Sequence, residues 1–293
     1  MNNPTMLFAI TTAIWGSTWL AITFQLGVVE PQVSVVYRFA LAAGILFAWC
    51  RASGQKLGFP LRTQAWLAAQ GATLFGLNYV GIYIAERYVA SGLVAVAFST
   101  FVFMVPVGAR LAFGAAVSPR ILIGAVLGVA GVALLFFPEL RGAAEESNTS
   151  LGIAYALGST AIAAIGNLIT LRLQRDSVPT VSGTAWGMSY GALTAALVCV
   201  VDKSTWVFEW TTAYLASLFY LALLGSIIAF GAYFRLVELV GAGRASFTAI
   251  STPVVAMVLS TAFEGYRWTA TAAMGAALAV AGNYLALRGS RQR

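Results

Sequence analysis

The chain has no histidine and only two cysteines, and charged side chains make up just 9% of its 293 residues. A soluble domain carries about a quarter charged residues, so there is too little charge here to solvate a globular surface. With no histidine and cysteines only at Cys50 and Cys199, no metal-ligand spacing exists, and neither a metal nor a cofactor is expected. A basic leader and an A-x-A cleavage site are also lacking. Met1-Asn2-Asn3-Pro4 runs straight into an apolar stretch, which reads as a retained helix. The net charge of +7 is not gathered into a patch. Its lysines and arginines stand singly between apolar runs, which argues against nucleic acid as a partner.

What is present is hydrophobic: 60% of the residues, with a mean hydropathy of +0.84. A helix needs about 20 apolar residues to cross a bilayer core. Ten runs qualify: 6–26, 32–50, 65–85, 89–110, 120–137, 151–171, 180–201, 211–234, 243–263 and 268–287. The expected fold is an all-α membrane protein of ten transmembrane helices. With the amino terminus cytoplasmic, the inner loops and tail hold Arg51, Lys56, Arg62, Arg110, Arg120, Arg172, Arg175, Arg235, Arg244, Arg288, Arg291 and Arg293. The outer loops hold only Arg87, Arg141, Lys203 and Arg267. That bias predicts a multi-pass inner-membrane protein with both termini cytoplasmic. Most acids, among them Glu30, Glu86, Glu139, Asp202 and Glu264, then fall outside. The two cysteines lie at opposite faces and form no disulfide. Trp49, Trp66, Trp206, Trp210 and Trp268 fall at helix ends, where indole rings favour the headgroup layer.

The second half echoes the first at an offset of about 150 residues, a weak internal symmetry common in carriers. Pro31 answers to Pro179, Gly16 to Gly166, Gly81 to Gly231, Tyr83 to Tyr233, Gly92 to Gly243 and Phe113 to Phe263. The units are 1–137 and 151–293, joined by the polar linker 138–150. Five is odd, so the two units insert with opposite orientation. Two inverted five-helix repeats are the arrangement that lets a carrier alternate access.

With these residues in place the chain resembles the drug/metabolite transporter superfamily, in its ten-helix branch with two EamA-type units. The resemblance rests on Trp15-Gly16-Ser17, Pro31 leading to Arg38, Ala90-Ser91-Gly92 with Pro106, Gly243-Arg244-Ala245-Ser246, Ser251-Thr252-Pro253 and Phe263-Glu264. It implies a transporter, most similar to exporters of amino acids of the aromatic amino acid and paraquat type. One departure stands out: Phe113-Gly114-Ala115-Ala116 has no acid where the family often has one, whereas Glu264 keeps it in the second unit.

A substrate path is expected near the midplane, between the repeats. Thr12, Trp15, Trp19 and Thr23 share one helix face by their spacing. Trp15 and Trp19 are cavity candidates, with packing in the bundle as the competing role. Asn78, Tyr79 and Tyr83 on the third helix, Asn167 on the sixth, and Trp186 and Tyr190 on the seventh are further candidates, because a polar group in hydrocarbon needs a partner. Ser99-Thr100 and Ser251-Thr252 stand beside Pro106 and Pro253. A proline kinks a helix and neighbouring hydroxyls can satisfy the freed carbonyl, so these two prolines are hinge candidates. Gly124-x-x-x-Gly128 and Gly187-x-x-x-Gly191 permit close helix contact within one chain, and a monomer is expected to suffice.

Arg38 is the one charge well inside a span, able to pair with a substrate carboxylate or to bond helix-end carbonyls. No aspartate or glutamate falls mid-span. The expectation is therefore uncoupled movement of neutral or zwitterionic solutes such as amino acids. Multidrug or nucleotide-sugar carriage shares the fold, although nucleotide sugars call for more cavity cations than Arg38 supplies. An enzyme would need convergent acids, histidines or metal ligands, which are missing, and a sensory protein would be expected to carry a soluble domain.

Overall fold

The computed structural model describes residues 3–114, 119–135, 137, 148–240 and 248–289; of residues 109, 112, 113, 121, 125, 237, 238, 250, 283 and 286–289 only the backbone is described. Residues 138–147 of the linker, Ser118, Gly243-Arg244-Ala245-Ser246, and Arg141, Arg291 and Arg293 lie outside the described residues.

Among the described residues the helices form ten traversals. The first two are α1 (Pro4–Thr23) and α2 (Pro31–Ala52). The third joins α3 (Leu61–Gln70), a π-helical stretch Gly71–Leu77 and α4 (Asn78–Ala85). The fourth is broken into α5 (Ser91–Phe98) and α6 (Phe101–Phe113), and α7 (Pro119–Leu135) closes the first unit. The second unit runs through α8 (Thr149–Arg175) and α9 (Thr180–Val201). Its third traversal joins α10 (Thr212–Phe219), a second π-helical stretch Tyr220–Ile228 and α11 (Ala229–Val240). Last come α12 (Thr248–Phe263) and α13 (Ala270–Gly289). Among the described residues six helical stretches are long and apolar enough on their own to cross a membrane, and shorter apolar helices accompany them.

Local chemistry sets the ends. Pro4, Pro31 and Pro119 each open a helix, where a fixed φ and a missing N–H cost nothing. Asn3 caps α1, its Oδ1 accepting from the Thr5 N–H at 2.9 Å. Trp49, Trp206, Trp210 and Trp268 stay exposed at helix ends, and Leu193, Leu197, Val200, Val254 and Val258 face outward. In water such a surface would aggregate; in lipid it is solvated.

The repeat is written in the contacts. α1 packs on α11 and α12, while α8, its counterpart, packs on α4 and on α5–α6. Exchanging the units maps one set onto the other. The two π-helical stretches fall at matching places in the third traversal of each unit.

Glycines let helices meet where no hydrophobic drive exists between them in lipid. A Cβ on Gly282 would stand 2.5 Å from the Gly124 carbonyl and 2.6 Å from the Gly128 nitrogen, while one on Gly131 would stand 2.7 Å from the Gly275 carbonyl. Residue numbers rise on α7 as they fall on α13, so this pair is antiparallel. Gly191 similarly lies on Phe75, beside Gly71. Both GxxxG pairs are thus used inside the chain.

The bundle has a basic end, carrying Arg51, Arg172 and Arg175, and an acidic end, carrying Glu30, Glu86 and Glu264.

Candidate functional site

Between the two units lies a cavity enclosing about 1000 Å³ of empty space, its mouth included. α1 contributes Trp15, Thr18, Trp19 and Ile22; the third traversal contributes Leu74, Asn78, Tyr79 and Ile82. Ala95, Phe98, Ser99 and Phe101 enter from the broken fourth traversal and Asn167 from α8. Phe230, Tyr233 and Phe234 line it from α11, and Thr248, Ala249, Thr252 and Pro253 from α12. The wall is aromatic, with hydroxyls and two amides, and among the described residues it carries no charged side chain. That is the usual make-up of a small-molecule pocket, apolar with a few polar groups that set orientation.

The aromatic rings hold one another. Trp15 lies 5.1 Å from both Phe230 and Tyr233, and its indole N–H donates to the Gly225 carbonyl at 3.3 Å. That carbonyl belongs to the second π-helical stretch, where the widened turn loosens the regular ladder. Trp19 tilts against Phe98 at 5.5 Å. Among the described residues, two buried polar atoms on cavity residues have no hydrogen-bond partner: the Trp19 indole N–H and the Asn78 side-chain carbonyl. The Asn78 amide nitrogen is occupied, donating to the Leu74 carbonyl at 3.1 Å. One unfilled donor and one unfilled acceptor therefore sit beside the cavity, and leaving either dry costs about 1–3 kcal/mol.

The residues singled out from the sequence divide. Trp15, Trp19, Asn78, Tyr79, Ser99, Asn167, Thr252 and Pro253 line this one cavity. Arg38 stands one ring behind it. Its guanidinium carbon is 4.6 Å from the Tyr79 ring centre and 5.1 Å from that of Phe39. Its Nε donates to Ser226 Oγ at 3.1 Å and an Nη donates to the Tyr83 hydroxyl at 3.4 Å. Arg38 and Tyr83 thus tie the second traversal to the third and eighth, and Tyr83 is spent on Arg38, away from the cavity. Thr100 is buried beside the break in the fourth traversal, with its hydroxyl on the Ala97 carbonyl at 2.7 Å. The break itself falls at Ser99–Thr100 and not at Pro106, which lies inside α6. Ser251 borders a shallow outer groove with Trp268, Ala276 and Tyr284.

Trp186 and Tyr190 are not in the cavity. They stack on each other at 5.7 Å near the basic end, where Trp186 donates to the Leu57 carbonyl at 2.9 Å and Tyr190 to Gln64 Oε1 at 3.1 Å. The cause is the inversion: Trp186 follows Pro179 as Arg38 follows Pro31, so the two counterparts lie at opposite ends of the bundle. Trp186→Phe is expected to keep transport within about twofold and to cost about 1 kcal/mol, the worth of one hydrogen bond. Thermal unfolding in detergent beside an uptake assay checks both, and a collapse of uptake alone would place Trp186 in the path.

The wall residues that the sequence does not mark as cavity candidates are mainly Phe98, Phe101, Phe230, Tyr233 and Phe234. Their signal was available: Phe230, Tyr233 and Phe234 sit at i, i+3 and i+4, one helical face, too deep for the headgroup layer. Tyr233 is the repeat partner of Tyr83. It lines the cavity, whereas Tyr83 is engaged by Arg38.

At the acidic end the cavity is closed. One turn beyond Ala95, Ser91 donates its backbone N–H to Glu264 Oε1 at 3.2 Å and its hydroxyl to Glu264 Oε2. Gly265, at φ 70°, ends the helix immediately after Glu264. One turn beyond Ile82, Glu86 is buried at 8% exposure, and among the described residues neither carboxylate oxygen has a hydrogen-bond partner. Burial pushes its pKa well above the usual carboxylate range; the negative Glu264 adds to this and Arg38 opposes it. The span reading placed Glu86 in an outer loop, where it would be solvated. Tertiary packing covers it.

A wall of rings, hydroxyls and amides between two inverted five-helix units, in a bundle with apolar outer faces, defines a membrane carrier. The chain belongs to the EamA-like transporter family, whose pattern matches residues 3–137 and again 150–288. It is 30% identical over 263 residues to the uncharacterized inner membrane transporter YedA of Escherichia coli K12, covering 88% of this chain and 82% of that one. It is 24% identical over 275 residues to the protein PagO of Salmonella typhimurium, covering 89% and 85%. A solved structure with 20% identity superimposes with a TM-score of 0.69 over 99% of both chains, which shows the shared fold.

Proposed function

We propose that this protein is an inner-membrane exporter of amino acids, neutral or zwitterionic and with room for aromatic side chains, working by alternating access as a monomer. The carrying observation is the wall itself: facing rings for an apolar side chain, with the unfilled Trp19 N–H and Asn78 carbonyl beside them. A zwitterion brings the complementary groups, a carboxylate that accepts and an ammonium that donates. Among the described residues the wall carries no charged side chain, which disfavours nucleotide sugars and organic cations, since these would be buried there without a counter-charge. Both termini are taken as cytoplasmic on the arginine asymmetry. The basic-end residues Asn167, Phe234 and Thr248 then face the cytoplasm and the closed acidic end faces outward. The moving parts are the fourth and ninth traversals, with Pro106 and Pro253 as hinges, since each proline removes one backbone hydrogen bond.

Uptake into proteoliposomes across a panel of aromatic, small neutral, basic and acidic amino acids, a quaternary ammonium drug and a nucleotide sugar tests this. Aromatic and large neutral amino acids are expected to be carried best. Carriage of the drug or the nucleotide sugar, with no amino acid moved, would replace this reading with the multidrug or nucleotide-sugar one.

A further inference from the structure

We infer that Glu86 is a proton-binding site, occupied in this conformation, at the closed acidic end of the cavity. Two carboxylates meet there under different conditions. Glu264 is half-buried and both its oxygens receive hydrogen bonds from Ser91 at the first turn of α5, where the helix dipole favours an anion. Glu86 has neither advantage. It is buried, both oxygens lack partners among the described residues, and it caps the carboxyl end of α4, where the dipole disfavours negative charge.

The charged and titratable neighbours do not rescue it. Arg38 on α2 bonds Ser226 and Tyr83, and among the described residues no carboxylate bonds to it. Tyr83, one turn back on α4, is the acceptor for Arg38. Glu264, at the end of α12, repels a second negative charge. Arg87 beside Glu86 is exposed, Tyr88 is half-buried, and Tyr155 on α8 is exposed. A bare carboxylate in such a site takes a proton, since an unpaired buried charge is the costlier alternative. A metal ion does not fit: among the described residues no three acidic, cysteine or histidine side chains gather, and the Glu86 oxygens meet no other ligand.

Separating Ser91 from Glu264 would admit water to Glu86 and allow it to ionise, releasing the proton. The sign follows. Below the open-state pKa the acid is protonated in both forms and has no preference. Above it the open form gains, and the gain is complete once pH exceeds the raised closed-state pKa. Acid therefore holds this end shut relative to alkali. Use of the proton within a transport cycle rests on the proposed carrier function; the proton site does not.

The test reads the proton directly. The full-length protein in lipid nanodiscs is titrated with no substrate present, and infrared difference spectra follow the carbonyl stretch of protonated carboxyl groups. With only 10 aspartates and glutamates in the chain, the spectrum is sparse. The wild type is expected to keep a carboxylic-acid band at pH well above the ordinary glutamate range of about 4.3. Glu86→Gln should abolish that band, and Glu264→Gln, which removes the repelling charge, should make it disappear at lower pH than in the wild type. Elution of each variant as a monodisperse peak identical to the wild type shows that it has folded, and Glu86→Asp restores a titrating band if the first variant does not fold. No such band in the wild type, or one that survives in Glu86→Gln, overturns the proposal. Because no solute is used, failure of the amino-acid exporter reading leaves this result intact.

Discussion

Trp15→Ala is expected to lower uptake of aromatic and large neutral amino acids by about tenfold, whereas Trp15→Phe keeps most of it. The indole forms part of the cavity wall and sits 5.1 Å from both Phe230 and Tyr233. Alanine deletes both ring contacts and widens the wall. A ring contact between the indole and a bound aromatic side chain is worth about 0.5–1.5 kcal/mol beyond its area, and about 1.4 kcal/mol is a factor of ten in affinity. Phenylalanine keeps a ring in place and loses only the N–H bond to the Gly225 carbonyl, which at 3.3 Å is long. The pair of variants separates wall from scaffold. If both lose uptake equally, the hydrogen bond to the π-helical stretch matters more than the ring. If neither does, Trp15 is not part of the path. Because removing a large ring can itself destabilise, uptake is compared at equal amounts of monodisperse protein.

Gly275→Leu should have the largest effect on stability. Its Cβ would stand 2.6 Å from the Gly131 carbonyl oxygen and 2.8 Å from the Leu135 Cα, and closer still to the Leu135 nitrogen. These are backbone atoms of the facing helix, which cannot rotate away as a side-chain tip can. The two helices must separate, and overpacking of this kind costs about 3 kcal/mol. At about 2–4 °C per kcal/mol for a chain of this order, the midpoint of heat-induced loss of monomer in detergent should fall by roughly 6–12 °C. Gly44→Ala and Gly158→Ala are the controls, since nothing lies within 4 Å of a Cβ at either position. An unchanged midpoint in Gly275→Leu would mean that α7 and α13 do not depend on this contact.

Much of the fold was readable from apolar run lengths, because a bilayer sets one length for every crossing. Glycine and proline echoes at corresponding places gave away the repeat. The lining of the candidate cavity was half readable. Trp15 and Trp19 were found by their shared face, and Asn78 and Asn167 because an amide in hydrocarbon demands a partner. Trp186 and Tyr190 have the same face spacing, yet they serve the basic end. Spacing tells which residues share a helix face; it does not tell which helix that face meets. Tyr83 shows the same limit, since its hydroxyl is engaged by Arg38 from another traversal.

By itself, the amino-acid sequence determined that the chain lives in lipid, how many times it crosses, and that its halves run in opposite senses. These follow from local composition and from a count. The tertiary structure alone decided where the cavity lies, which rings enclose it, and that a glutamate placed by its local sequence in a solvated loop is buried with no hydrogen-bond partner among the described residues. Burial is a property of neighbours. The groups around Glu86 arrive from α2 and from the end of α12, far along the chain, and only the folded bundle brings them together.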